Sequence, residues 1–388
     1  MTRRRVALAV LMVAVVSVSL FAATYMLGTE GFPDFYVGVE FAYSNDLTDS
    51  SANLRNLKGL VDRVKDYTNL FVVGLPEISL DESVLNEACD YISAAGLHFI
   101  ILFTNTTKYP YAPSAWTSAA KQKYGEKFLA VYRIDEPGGS ELDNDESRFL
   151  NPADYNPLVR DYARASEQYV SILQGHFDYL HGALYPRIFT ADYAFYWFDY
   201  KGGFDAVFAE FGWNHSRPLN VALCRGAAQA FNRDWGVSIT WTYRQPPYLE
   251  SGAELFNDMV FAYNAGAKYV VVFSHPMLNE YGLLQEEHFT AMEKFWDYVN
   301  RNPQNHGANQ GKVAYVLPAD YAYGFRSSDD HIWGLWQADA LSPKVWADVN
   351  LLAARYLGGF DIVCDDAGAT EATAGRYERL FFWNETLT

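Results

Sequence analysis

The sequence is short of cysteine, of positive charge and of long apolar runs, and each shortage excludes something. Its three cysteines, Cys89, Cys224 and Cys364, lie far apart with no CxxC pairing. Neither a zinc cluster nor a disulfide framework is implied, which leaves three buried thiols or one bridge with a spare thiol. Lys and Arg number 30 against 47 Asp and Glu, for a formal net charge of -17. With no basic stripe carrying interleaved aromatics, nucleic acid is not an expected partner. Also missing are a Gly-rich phosphate loop, a G-x-S-x-G elbow, an H-E-x-x-H helix and a D-x-D-x-D loop. No cofactor and no metal site is therefore expected.

Only one apolar run is long enough to span a bilayer. Arg3, Arg4 and Arg5 precede an uncharged stretch from Val6 to Leu27, about the twenty residues a membrane-crossing helix needs. The small-residue pattern of a cleavage site is poor around Phe21-Ala22-Ala23. The reading is thus an uncleaved single-pass anchor over 6–27, arginines inside and the remainder outside the cytoplasm, with cleavage and secretion as the alternative. Sequons at Asn105, Asn214 and Asn384 fit an exported chain but identify nothing further.

What is present is a globular chain rich in rings: 388 residues, 50% hydrophobic and 16% aromatic. After a linker through Gly31 and Pro33, short apolar segments alternate with amphipathic ones. Strands are expected at 35–42, 69–74, 98–104, 128–135, 187–193, 204–211, 236–243 and 268–274, each rich in β-branched or aromatic residues as buried parallel strands are. Helical spacing marks the segments between them, with Phe289, Met292, Phe295 and Val299 forming one face of the last. Eight such units favour a closed (β/α)8 TIM barrel over an open sheet. The polar stretch 301–311 reads as a linker. The expected organisation is an anchor at 1–30, a barrel at 31–303 and a small α/β subdomain at 304–388.

In such a barrel the strand C-termini build the site. Glu40, Asp135 with Glu136, Asp192, Glu210, Tyr243 with Arg244, and His275 end or follow strands one, four, five, six, seven and eight. Trp213 lies just beyond strand six and Trp241 near the end of strand seven, and sugar faces stack on such rings. Carboxylates from four strands at one rim exceed what stability requires, because each is costly to bury unpaired.

The segment 134–137, Ile-Asp-Glu-Pro, resembles the Asn-Glu-Pro motif of the large clan of retaining barrel glycoside hydrolases. The resemblance implies a carbohydrate substrate and makes Glu136 the acid/base, with Asp135 in the place of the Asn that contacts the 2-hydroxyl. That clan carries its nucleophilic Glu at the end of strand seven, where this chain reads Trp241-Thr242-Tyr243-Arg244-Gln245. Glu210 on strand six is the candidate partner, a layout similar to the barrel α-glycosidases, and Asp192 is the reserve. Glu40, Asp135, Trp213, Trp241, Tyr243, Arg244 and His275 are the candidate substrate contacts. The second expectation is a non-catalytic carbohydrate-binding or envelope protein on a degenerate barrel. Residues 304–388 loosely resemble the small domain after the barrel in some β-galactosidases, with Trp333 and Trp336 as candidates to extend a cleft. Sequence fixes neither the sugar, nor the stereochemistry, nor the oligomeric state.

Overall fold

Eight strands alternate with helices between Tyr36 and Arg301 and close into a parallel barrel in chain order. The computed structural model describes residues 35–104, 109–181, 187–366, 373 and 375–387. The expected anchor at 6–27 and the sequon at Asn105 lie outside those residues. Among the described residues no helix is long and apolar enough to cross a membrane.

The barrel strands are β1 (Tyr36–Phe41), β2 (Leu70–Val73), β3 (His98–Leu102), β4 (Phe128–Tyr132), β5 (Ile188–Asp192), β6 (Ala206–Phe211), β7 (Asp234–Ile239) and β8 (Tyr269–Phe273). Seven lie within the expected segments, while β7 begins two residues before its segment and ends four residues short of it, and β1 pairs in parallel with both β2 and β8 to close the ring. The interior is filled by alternate residues, among them Leu70 and Val72, Ala130 and Tyr132, Phe189 and Ala191, Ala206 and Phe208, Tyr269 and Val271. Each strand sends every second side chain inward. Gly236 makes room in this layer, since a Cβ there would meet Phe208 and Tyr269 at 2.6 and 2.8 Å.

The helices are α1 (Ser50–Val64), α2 (Pro76–Leu80), α3 (Glu82–Ala94), α4 (Pro113–Tyr124), α5 (Pro137–Leu142), α6 (Tyr162–His181), α7 (Tyr196–Gly202), α8 (Arg217–Ala230), α9 (Gly252–Asn264) and α10 (Glu286–Arg301). Local chemistry starts several of them: Asp49 caps α1 by accepting from the Ala52 N–H, and Ser251 with Glu254 forms a capping box on α9. Phe289, Met292, Phe295 and Val299 bury the expected face of α10. The aromatic stretch 195–200 is largely α7, with Tyr196 to Tyr200 all buried. All three cysteines are free and buried.

Beyond the barrel, β9 (Val313–Leu317), β10 (Phe360–Cys364) and β11 (Arg379–Phe382) form a parallel sheet in the order β10-β9-β11, with α11 (Ser342–Tyr356) in the connection from β9 to β10. From Tyr36 onward the chain is one compact unit. The seam between sheet and barrel holds a buried ion pair. Arg225 on α8 donates to Asp361 on β10 at 2.7 Å and to the carbonyls of Ala265, Asn309, Gly358 and Phe360, while Asp361 also accepts from Tyr377. Next to it, a Cβ on Gly226 would lie 2.3 Å from the Ile362 carbonyl oxygen, so only glycine allows this close packing. Trp333 and Trp336 do not extend a cleft: both are buried, Trp333 against Phe195, Phe198 and Tyr169.

Candidate active site

At the C-terminal end of the barrel, β4 stops at Tyr132 and the chain turns sharply. Ile134 and Glu136 both have positive φ, 55° and 46°, which is unusual for any side chain and costly for a β-branched one. The turn is held by Thr190, whose hydroxyl donates to the Ile134 carbonyl at 2.5 Å, and by the Glu136 N–H on the Ala191 carbonyl at 3.1 Å. A regular strand would send residues 135 and 136 to opposite faces. Here Asp135 accepts from the Tyr132 hydroxyl, and Glu136 and Glu210 are near enough for each to bear on the other's protonation. Tyr132 faces the barrel interior, as does Glu210 by alternation with Ala206 and Phe208. Both adjacent acids are therefore turned inward.

Glu40, at the end of β1, completes the cluster. Its side chain lies over Gly74, where a Cβ would stand 2.1 Å from Oε1. Burial, then the charge of Asp135, raises the Glu40 carboxyl to about 8. The same two causes, in the same order, raise Glu136. Glu210 is raised well above the ordinary range by burial and by the charges of Glu136 and Asp135. Asp135 is accessible to solvent yet enclosed deeply enough that burial raises it, with the Tyr132 hydroxyl pulling the other way. A group standing in a narrow well open at one end has both properties. Asp135 bears on the protonation of all three neighbours.

Asp192 is placed elsewhere. On β5, Phe189 and Ala191 face the interior, so period-two alternation turns Asp192 outward. Its carboxylate accepts four backbone N–H groups: those of Gly138 and Gly139, at the start of α5, and of Tyr193 and Ala194. Its side chain is fully buried behind the Glu136 turn, which makes it the pin of that turn rather than a group facing the cleft.

The cleft above the cluster has a volume of about 540 Å³ and is lined by Glu136, Asp143, Tyr193, Trp213, Asn214, His215, Thr242, Arg244 and Arg326. Of the expected contacts, Trp213 and Arg244 line it, and the Arg244 guanidinium sits 5.9 Å from the Trp213 ring centre. Trp241 and His275 stand one ring further out: Trp241 is 6.0 Å from Trp213 and stacks on His275 at 5.9 Å. Nδ1 of His275 lies 2.9 Å from the Ala42 carbonyl oxygen. Tyr243 is exposed and does not line the cleft.

Asp143, Tyr193, His215 and Arg326 are cleft residues that sequence reasoning missed. Arg326 comes from the segment after β9. It holds Asp330 through Nε and Nη2 at 3.0 and 2.8 Å and reaches Asp143 at 2.5 Å, which in turn accepts from the Tyr193 hydroxyl at 2.7 Å. The acidic stretch 140–148 begins inside α5, and Glu141 is buried with Oε2 accepting from the Phe149 and Leu150 N–H groups. Among the described residues no group of three or more His, Cys, Asp or Glu is placed to hold a metal ion.

No family model matches the sequence, and no curated protein matches it. Solved structures do resemble it. A GH5_18 structure from Streptomyces cattleya in complex with GlcNAc is similar with a TM-score of 0.53 at 13% identity, over 90% of this chain and 98% of that one. A GH5_18 structure from Bifidobacterium longum in complex with Manb1-4GlcNAc gives 0.53 at 10% identity over 91% and 97%. A beta-galactosidase from the psychrophilic Marinomonas ef1 gives 0.52 at 11% over 90% and 72%. The chain thus has the (β/α)8 fold of these glycoside hydrolases.

Proposed function

We propose that this chain is a glycoside hydrolase with Glu136 as its general acid. The carrying observation is a carboxyl held toward its protonated form at the floor of an aromatic-walled cleft, at the C-terminal end of a barrel. Such a group can deliver a proton to a departing glycosidic oxygen. Glu210, buried beside it on β6, is the candidate partner. Trp213 and Arg244 are the sugar contacts in this reading, and Trp241 and His275 extend the aromatic wall. Two of the similar structures hold GlcNAc-containing ligands, which favours a carbohydrate here.

The test is Glu136→Gln, which keeps shape and hydrogen bonding but donates no acidic proton. Turnover of a natural glycan should fall by about 10²–10⁴-fold, with much less loss on an aryl glycoside whose leaving oxygen needs little protonation. Wild-type turnover in that variant ends the assignment. The absence of a carboxylate after β7 also favours a second reading, a carbohydrate-binding protein on a degenerate barrel. That reading gains if glycans bind equally to wild type and Glu136→Gln while neither turns them over.

The triple arginine followed by 6–27 supports a further part of the proposal: the chain is a single-pass membrane protein with its barrel outside the cytoplasm and an extracellular glycan as substrate. It should stay with membranes after a carbonate wash. A soluble form starting near residue 24–30 overturns the anchor.

A further inference from the structure

The arginines at the cleft differ in what they hold. Arg217, at the start of α8, gives Nε to Asp258 at 2.8 Å and Nη2 to Glu250 at 3.2 Å, while its Nη1 donates to the carbonyls of Gly212 and His215 at 3.0 and 3.2 Å. It thereby fastens the turn that carries Trp213, Asn214 and His215 into the cleft wall. Trp213 is left-handed in that turn, with φ 47°, and its N–H donates to the Trp241 carbonyl at 2.5 Å. Arg326 is held between Asp330 and Asp143. Both of these guanidinium groups are spent on building the wall.

Arg244 is not. It lines the same cleft, is exposed, and pairs with no carboxylate among the described residues. The Trp213 ring, 5.9 Å away, offers it no hydrogen-bond acceptor. Its planar fork of donors is left to water or to a ligand that enters the cleft. The loop that carries it is closed by the Thr242 and Tyr243 N–H groups, which both donate to the Tyr248 carbonyl at 2.8 Å. In a chain of net charge -17, whose general field repels anions, an unpaired cation on a cleft wall is a local exception. Asp143 does not cancel it, because Arg326 and the Tyr193 hydroxyl already hold its two oxygens.

We infer that the cleft takes an acidic sugar, whose anionic substituent pairs with the Arg244 guanidinium while its ring lies against Trp213. This rests on the proposal that the chain is a glycoside hydrolase, and deepens it by naming the substrate class. The carboxylate of a uronic acid and a sulfate ester share the chemistry required, since each presents two oxygens to the two parallel N–H groups of a guanidinium. Asn214 and His215, on the Trp213 turn, bring an amide and an imidazole to the same wall for the hydroxyls of the ring. A neutral sugar has only hydroxyls to offer and leaves the charge of Arg244 unused.

The test compares three sets of oligosaccharides on the full-length protein: uronic acid oligosaccharides, the same molecules with their carboxyls chemically reduced to neutral hexoses, and those neutral molecules sulfated at the primary hydroxyl. An acidic member should bind wild type at least about 10-fold more tightly than its reduced counterpart, the low end for a charge-assisted pair because Arg244 is exposed. The advantage should shrink as salt is raised. In Arg244→Gln the ratio should fall toward one, and in Arg244→Lys it should be kept in part, since the charge remains without the fork. Because the ratio is taken within each variant, a loss of folded protein cancels from it. A larger advantage for the sulfated set supports the anionic subsite and assigns its anion as a sulfate ester. Equal handling of acidic and reduced molecules by wild type, or a ratio unchanged in Arg244→Gln, overturns the inference, and the glycosidase reading then stands on its own test with Glu136→Gln. If no member of any set binds or is turned over, both fall.

Discussion

Two of the places where this molecule buries charge handle it in opposite ways. At the seam between barrel and three-stranded sheet, Arg225 meets Asp361 and four carbonyls, and Tyr377 completes the carboxylate. Burial still outweighs the pairing in raising Asp361, yet the polar atoms there have partners. At the barrel mouth, Glu40, Asp135, Glu136 and Glu210 crowd together, and repulsion adds to burial in raising Glu40, Glu136 and Glu210. The seam follows the rule that buried charges are paired. The mouth breaks it, and a fold tolerates such crowding only where something is gained by it.

The contrast is sharpest if each site is neutralised. Removing one partner at the seam leaves a buried charge alone, so Arg225→Met should cost about 3–5 kcal/mol. Denaturant unfolding should show this, and a loss below about 1 kcal/mol would mean that the seam is not the tight junction its hydrogen bonds suggest. At the mouth the sign reverses. The unfolded chain releases the Glu40 proton near 4.5, whereas the folded one keeps it to about 8. The folded state therefore binds more protons in that window. The stabilising contribution of Glu40 is complete below the unfolded value and lost as pH rises toward 8, at about 1.4 kcal/mol per pH unit. Glu40→Gln should remove this slope and stabilise the protein at pH 7.5 relative to wild type, while changing little at pH 4.5. An unchanged pH profile would show that Glu40 is not held neutral. The smallest effect is expected where the two habits meet, in the cleft wall. Arg326→Ala frees Asp143 and leaves the buried Asp330 without its cation, at about 1–3 kcal/mol, and should also raise KM; unaltered stability and KM would remove Arg326 from the wall.

The architecture was legible because a buried strand repeats short apolar runs whatever its neighbours, and the eight runs are all in the sequence. The candidate site was only partly so. Glu40, Asp135, Glu136 and Glu210 were visible as acids ending apolar strands. Asp192 looked the same, although the alternation in 187–193 already sets Phe189 and Ala191 on one face and Asp192 on the other; reading parity as well as position would have turned it away from the cleft. Nothing local in the sequence marks Arg326, because its place depends on a segment more than a hundred residues beyond β6 folding back over the barrel mouth. Trp333 misled for the related reason that a ring in a loop and a ring under a loop have the same neighbours in sequence.

The four amides on Asp192 have a consequence for anyone who would rebuild this barrel. Glu136 lies just beyond β4, but what aims it is anchored on β5: the carboxylate that holds Gly138 and Gly139, and the Thr190 hydroxyl on the Ile134 carbonyl. Transplanting the segment 128–139 alone into another eight-stranded scaffold would carry the acid without its aim. The transferable unit is a pair of adjacent strands, with β4 supplying the reagent and β5 the mount that points it.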